Sequence, residues 1–275
     1  MVRAKRITER FPWILPLRRK QRIFCFYLGL CLDKNKYANE HEECVLEHLM
    51  FSSSCPLINT ETGFDIKYQE NKVFNLKLAA KPLNMLIIRP GETFSFWKLV
   101  KDADKDTPYK DGLVVLNGEL QTMQGGGLCQ MSNLLFWCFL HTPMKIIERH
   151  GHRKKDFPEP PSDAPLGVDA TVSEGWLDLK VKNDTNETYQ IVISFEDGMI
   201  VGQIRTASKP QIQYSIQNGQ LQYYRENGKI YEQVDVIQNA ISVPDGKDIG
   251  SKLLYQNCCE IGYELPKETF IKEKE

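Results

Sequence analysis

The sequence predicts an α+β fold: a cysteine-bearing helix packed on an antiparallel sheet, somewhat as in cysteine peptidases, with a helical N-terminus and a β-rich C-terminal extension. Three observations predict it. Apolar residues recur at helical spacing in stretches before residue 141, the period falls to two from Trp176 onward, and Gly- and Pro-marked turns separate the short segments between. At 275 residues the chain is long enough to bury a sizeable core. It divides into a basic helical N-terminal segment at 1–50, a core at 51–205 and a β-hairpin C-terminal extension at 206–275.

The elements follow in order. Arg3, Lys5, Arg6, Arg10, Arg18, Arg19, Lys20 and Arg22 are opposed only by Glu9, and the apolar run IFCFYLGLCL comes next. Ten apolar residues are about half of what a bilayer-spanning helix needs, and no small-residue cleavage site follows in KNKYAN. The expected structure is a break at Pro12 and Pro16, then a buried amphipathic helix; the alternative is a peripheral membrane anchor. Asn39 caps a further predicted helix over EHEECVLEHLMF, with Cys44, Leu46 and Leu49 as its buried stripe and His41 and His48 facing solvent. NKVFNLKLAAKPLN reads as another helix, stopped by Pro82. Residues 85–88 read as a strand, Pro90-Gly91 as a turn, and Phe94 with Phe96 as the next strand.

Beyond Trp176, WLDLKVKN, TYQIVISF and MIVGQIR read as an antiparallel meander turning at Glu196-Asp197-Gly198. Asn218-Gly219 and Asn227-Gly228 predict two further hairpins, because Asn-Gly accepts the positive φ values of a type I′ turn. The charged tail KETFIKEKE is expected to fray.

Composition narrows the chemistry. With 35 basic and 36 acidic residues the net charge is −1, so no global field attracts nucleic acid. The eight cysteines are irregularly spaced and contain no CxxC pair, which argues against both a disulfide scaffold and a zinc ribbon. Most are expected to be reduced core residues, with Cys258 and Cys259 on opposite faces of a strand. Cys129 stands apart, because Gly125, Gly126 and Gly127 precede it and Met131, Leu134, Leu135, Cys138 and Phe139 continue from it at helical spacing up to Pro143.

Two readings of that stretch stand side by side. In one, free amides and the dipole of a helix start lower the Cys129 pKa and leave donors for an oxyanion. In the other, a glycine turn leads into a core helix whose first cysteine is simply buried. Phosphate binding fits poorly, since the GKS/T ending of a P-loop is missing. A nucleophile needs a base, and His150 and His152 in KIIERHGHRKKDF are the candidates, with His141 a neighbour of the helix end. Asp169 in GVDATVS is placed to fix an imidazole tautomer; an exposed histidine and a turn aspartate are the plain alternatives. A metal held by Cys129, His150 and His152 lacks a fourth ligand, and Glu92 and Glu174 read as lone carboxylates. No metal or cofactor is expected.

The succession NLKLAAKPLNMLIIRPGETFSFW, GGGLCQMSNLLFW, ERHGH and GVDATVS followed by WLDLKVKNDT resembles the VanW family, and GGGLCQ together with DATVS makes the resemblance specific. Arg153 stands where the family often shows serine. The resemblance implies association with glycopeptide (vancomycin) resistance. Some larger exported proteins with such domains act as L,D-transpeptidases through a catalytic cysteine, which implies L,D-transpeptidase or carboxypeptidase chemistry on peptidoglycan stem peptides for this chain. On this chain it implies Cys129 as nucleophile and His152 as base, with Asp169 orienting the imidazole. Gly125, Gly126, Gly127, Gln130 and His150 are the expected surroundings of substrate and oxyanion. A non-catalytic accessory or binding protein with a structural Cys129 is the reading from another class. The expected partner is a peptidoglycan stem peptide or precursor. The expected location is cytoplasmic or membrane-associated, or extracytoplasmic if mature peptidoglycan is the substrate.

Overall fold

Residues 11–59, 63–116, 119–155 and 163–274 are described by the computed structural model. Arg3, Lys5, Arg6, Glu9 and Arg10, and most of FPEPPSDAP, lie outside them. Helix α1 spans Leu15–Leu32, and strands β1 (Lys36–Tyr37), β2 (Glu40–His41) and β3 (His48–Pro56) lead to helix α2 (Lys67–Ala80). Strands β4 (Leu86–Ile88) and β5 (Glu92–Ser95) precede the short helix α3 (Phe96–Val100), the hairpin β6 (Asp111–Leu116) and β7 (Glu119–Gln124), and helix α4 (Cys129–Leu140). The remainder is β8 (Lys145–Glu148), β9 (Lys154–Lys155), β10 (Lys180–Lys182), β11 (Tyr189–Glu196), β12 (Met199–Thr206), β13 (Ile212–Glu226), β14 (Lys229–Ser242), β15 (Asp248–Ile261) and β16 (Ile271–Glu273). They form sheets of order β1-β5-β10-β8, β2-β4-β11-β12-β3 and β16-β13-β14-β15-β9, with β6-β7 apart. The chain is thus α+β with an N-terminal helix and a β-rich C-terminal region.

Helix α4 is apolar on most of its circumference. Met131, Leu134, Leu135, Phe136, Trp137, Cys138, Phe139 and Leu140 are all buried, and a helix with no wet face has to lie inside. Each such side chain contributes roughly 1.5–3 kcal/mol on burial. Gly202 of β12 makes room for it: a Cβ there would lie 3.0 Å from Leu134 Cγ. Gln238 of β14 closes the other end, donating to the Leu140 carbonyl at 2.7 Å and the Thr142 carbonyl at 2.9 Å.

Several sequence expectations need correction. The helix over 40–51 does not form. Glu43 and Glu47 would stand four apart on it and repel, whereas in the fold Glu40 and Glu42 pair with Arg89 and β3 runs along β12 from His48↔Thr206 to Pro56↔Met199. Helix α1 does form, with Pro16 in its first turn where a missing N–H costs nothing, yet it is not buried. Leu30 is its one buried residue, and Phe24 and Leu32 face solvent. Phe96 opens α3 rather than continuing a strand, because Ser95 Oγ accepts from Lys98 N as an N-cap.

The meander is also redistributed. β11 and β12 form a hairpin through Asp197 and Gly198, both at positive φ, but β10 pairs with β5 and β8 in another sheet. Asn183 makes the change of sheet, donating to the carbonyls of Ile88 at 3.0 Å and Glu187 at 2.7 Å. Asn227-Gly228 is a turn with φ values of 52° and 74°, whereas Asn218-Gly219 is a bulge within β13. There the Asn218 side chain holds both the N–H and the carbonyl of Leu166, and a Cβ on Gly219 would meet Ile237 at 2.6 Å. The tail pairs as β16 with Tyr223, Tyr224 and Arg225 of β13. All eight cysteines are free, but Cys25, Cys31, Cys44 and Cys258 are exposed, so the core holds fewer than expected. Glu92 and Glu174 have partners, Lys36 at 3.0 Å and the Tyr27 hydroxyl at 3.1 Å. Among the described residues no helix is long and apolar enough to cross a membrane.

Candidate active site

The glycine loop is shaped by contact as well as by turning. Gly125 and Gly127 take φ values of 76° and 93°, which L side chains rarely adopt. A Cβ on Gly126 would strike the Gly112 backbone at 2.3 Å, and one on Gly127 would strike Lys72 Cγ at 2.3 Å. Fully buried Asn75 of α2 fixes the loop from below, donating to Gly126 O at 3.0 Å and Lys110 O at 2.9 Å. The Gly125 amide donates to Lys110 O and the Gly126 amide to Met123 O, so neither is free for an oxyanion. The amides of Gly127, Leu128 and Cys129 donate to no acceptor among the described residues, and they lie at the start of α4.

Cys129 is the first residue of α4, and three groups converge on it. Its thiol hydrogen-bonds the His152 imidazole, lies 3.3 Å from Thr171 Oγ1 and 3.6 Å from the Val172 carbonyl. His152 Nδ1 is 2.9 and 2.8 Å from the two carboxylate oxygens of Asp169, which leaves Nε2 for the sulfur. The His152 amide also donates to Asp169, at 2.5 Å. Cys129 and His152 are half-buried and Asp169 is buried.

These contacts shift the titration of all three groups. Burial alone would raise the Cys129 pKa, but hydrogen bonds from His152 and Thr171 hold it below the ordinary thiol value. Burial would likewise depress His152, yet its bonds to Asp169 and Cys129 outweigh that and raise it from 6.5 to about 10. Asp169 resists the upward push of burial through the same bond and stays below the usual carboxylate range. The arrangement is a cysteine, an imidazole and a carboxylate in series, each shifted toward its charged form.

One short segment holds both halves. In DATVS, Asp169 grips His152 while Thr171 touches Cys129, and the backbone between is tied to α4 through Asn133 Oδ1 to Ala170 N at 2.7 Å and Ser132 Oγ to Ala170 O at 2.6 Å. Thr171 N donates to His150 O at 2.8 Å. Arg149 secures the start of the segment, its guanidinium reaching Asp169 O, Gly167 O and Asn257 Oδ1. Thr171, Arg149, Asn75, Ser132 and Asn133 are contributors that residue-type reasoning did not single out.

Two predicted site residues point elsewhere. His150 pairs with Glu148 at 3.0 Å. Gln130 turns to β3, donating to Cys55 Sγ at 3.2 Å and Pro56 O at 2.7 Å. Beside it lies Lys72, whose amine burial pushes down to about 8. His141 is buried and stacked on Phe51 at 3.5 Å. Among the described residues no group of three or more His, Cys, Asp and Glu is arranged to hold a metal ion.

Residues 71–205, which contain Cys129, His152 and Asp169, match the family model described as VanW like protein. The chain is 58% identical over 269 residues, 98% of each protein, to the vancomycin B-type resistance protein VanW of Enterococcus faecalis (strain ATCC 700802 / V583). The chain belongs to the VanW family. It is also 33% identical over 118 residues to the uncharacterized protein YoaR of Bacillus subtilis (strain 168), covering 43% of this chain and 37% of YoaR. No solved structure matches it. The VanW-like stretch runs from within α2 to within β12, so the family model covers the whole Cys129 cluster except for Asn257, which steadies Arg149 from β15.

Proposed function

We propose that this protein is an accessory factor of glycopeptide resistance that acts as a cysteine-dependent acyltransferase on peptidoglycan stem peptides, as an L,D-transpeptidase or carboxypeptidase. The printed name of the Enterococcus faecalis relative, with its 58% identity, supports the first part. The observation that carries the second is the hydrogen-bonded series Cys129, His152, Asp169 beside free helix-start amides. The Cys129 thiolate attacks the carbonyl between an L-centre and a D-amino acid. The tetrahedral oxyanion rests against the Gly127, Leu128 and Cys129 amides. His152 gives its proton to the departing amine, the C–N bond breaks and a thioester remains. An amine of a second stem, or water, attacks the thioester, passes its proton to His152 and restores the thiolate. Chemistry at that bond bypasses the terminal D-Ala-D-Ala that glycopeptides occupy.

Incubation of the purified protein with stem tetrapeptide, followed by intact-mass spectrometry, tests this. A thioester adduct or a shortened or cross-linked peptide is expected from the wild type and absent from Cys129→Ala. Neither adduct nor product from a folded wild type overturns the enzymatic reading and favours a binding role.

A further inference from the structure

We propose that α1 is a membrane-surface helix that lies on a bilayer containing anionic lipid and holds the Cys129 site beside it. The helix has two apolar faces. Ile23, Phe26, Tyr27 and Leu30, spaced at i, i+3, i+4 and i+7, face the protein: Phe26 packs on the core, Leu30 is buried, Tyr27 donates to Glu174, and a Cβ on Gly175 would lie 2.8 Å from Ile23. Turned away from that face are Leu17, Phe24, Leu28 and Leu32, at i, i+7, i+11 and i+15, with exposures of 66%, 67%, 45% and 74%. Such a stripe on a helix already docked by its other side lacks a partner among the described residues.

Charge identifies what fits it. Between Leu15 and Leu32 there are four cations, Arg18, Arg19, Lys20 and Arg22, and no carboxylate. Lys20 and Arg18 flank the two edges of the stripe, the disposition of a helix lying in a headgroup layer. A second copy docked through the same face with the helices parallel would bring its cations against these, which disfavours that dimer, whereas anionic headgroups complement them. At about 1.5 Å per residue the helix is near 27 Å long, and no helix among the described residues has the apolar content to span a bilayer, so it lies along the surface.

The orientation follows from Trp176. It is half exposed, with Arg22 of α1 5.8 Å from its ring and Arg153 5.4 Å away on the other chain segment. Arg153 follows His152, and Trp176 lies four residues beyond Val172. An aromatic ring between two cations suits the interface of lipid and water. Substrates reaching Cys129 from this side are therefore those displayed at a membrane surface.

Flotation of the full chain with vesicles of phosphatidylcholine, alone or mixed with phosphatidylglycerol, tests the assignment. The wild type is expected to float with the anionic vesicles and to be released by high salt. Phe24→Ser/Leu28→Ser is expected to bind on the order of tenfold less, while Ile249→Ser/Leu253→Ser, on the exposed part of β15, binds as the wild type does. Cys129→Ala also floats normally, which separates this inference from the catalytic one. The proposal is overturned if the wild type ignores both vesicles, if Phe24→Ser/Leu28→Ser floats equally well, or if sedimentation reveals a dimer that this double substitution dissolves.

Discussion

The two ends of α4 carry the same side chain with opposite chemistry. Cys129 begins the helix, bonded to His152 and Thr171, and its pKa is lowered. Cys138, nine residues on, is fully buried beside the Gly202 carbonyl at 3.5 Å and the Ser53 backbone, and burial outweighs the Ser53 hydrogen bond and pushes its thiol far up. Helix and residue type are shared, so the difference lies in what the rest of the fold brings to each sulfur: a carboxylate-bound imidazole and a hydroxyl at one, β-strand backbone and apolar packing at the other.

The comparison is tested most severely by alkylation with iodoacetamide near pH 6. Peptide mapping is expected to find Cys129 modified about tenfold or more faster than the exposed Cys25, Cys31, Cys44 and Cys258, with Cys138 unmodified until the protein unfolds. Equal rates at Cys129 and Cys25 would erase the distinction. A smaller effect concerns pH. His152 titrates near 6.5 when unfolded and about 10 when folded, so its contribution to stability is complete below pH 6.5 and lost as pH rises toward 10. Asp169, held below 3.8, contributes above that value and loses its contribution on acidification. Thermal melts across this range are expected to decline at the alkaline end for the wild type and much less for His152→Ala. The smallest effect is that of Thr171→Val, which removes one hydrogen bond to sulfur of about 1 kcal/mol and slows alkylation near pH 6 roughly fivefold.

Legibility in the sequence followed the range of the interactions. Gly125 to Cys129 announces a turn into a helix because the causes, missing Cβ atoms and helical spacing, are local. Cys129, His152 and Asp169 lie within one compact stretch whose residue types suggest their meeting, although their roles are those proposed above. Residues 40–51 misled, since their fate is decided by β12, some 150 residues away. Asn218-Gly219 has the composition of a turn but is held as a bulge by Leu166 and Ile237. Arg149, Asn75 and Thr171 carry no local signal, because each matters only through partners brought near by folding. The exposure of α1 is legible only once its docking face is known.

The DATVS segment behaves as a ruler. Its hydrogen bonds alternate sides, Ala170 N to α4 and Thr171 N to the His150 loop, so Asp169 and Thr171 share one face. Asp169 and Thr171 together fix where the imidazole and the sulfur stand relative to each other. A single inserted residue between 169 and 171 would turn one of the two away from the site, and no rotamer change at Cys129 or His152 would restore both contacts. Length, more than composition, is what this segment cannot vary.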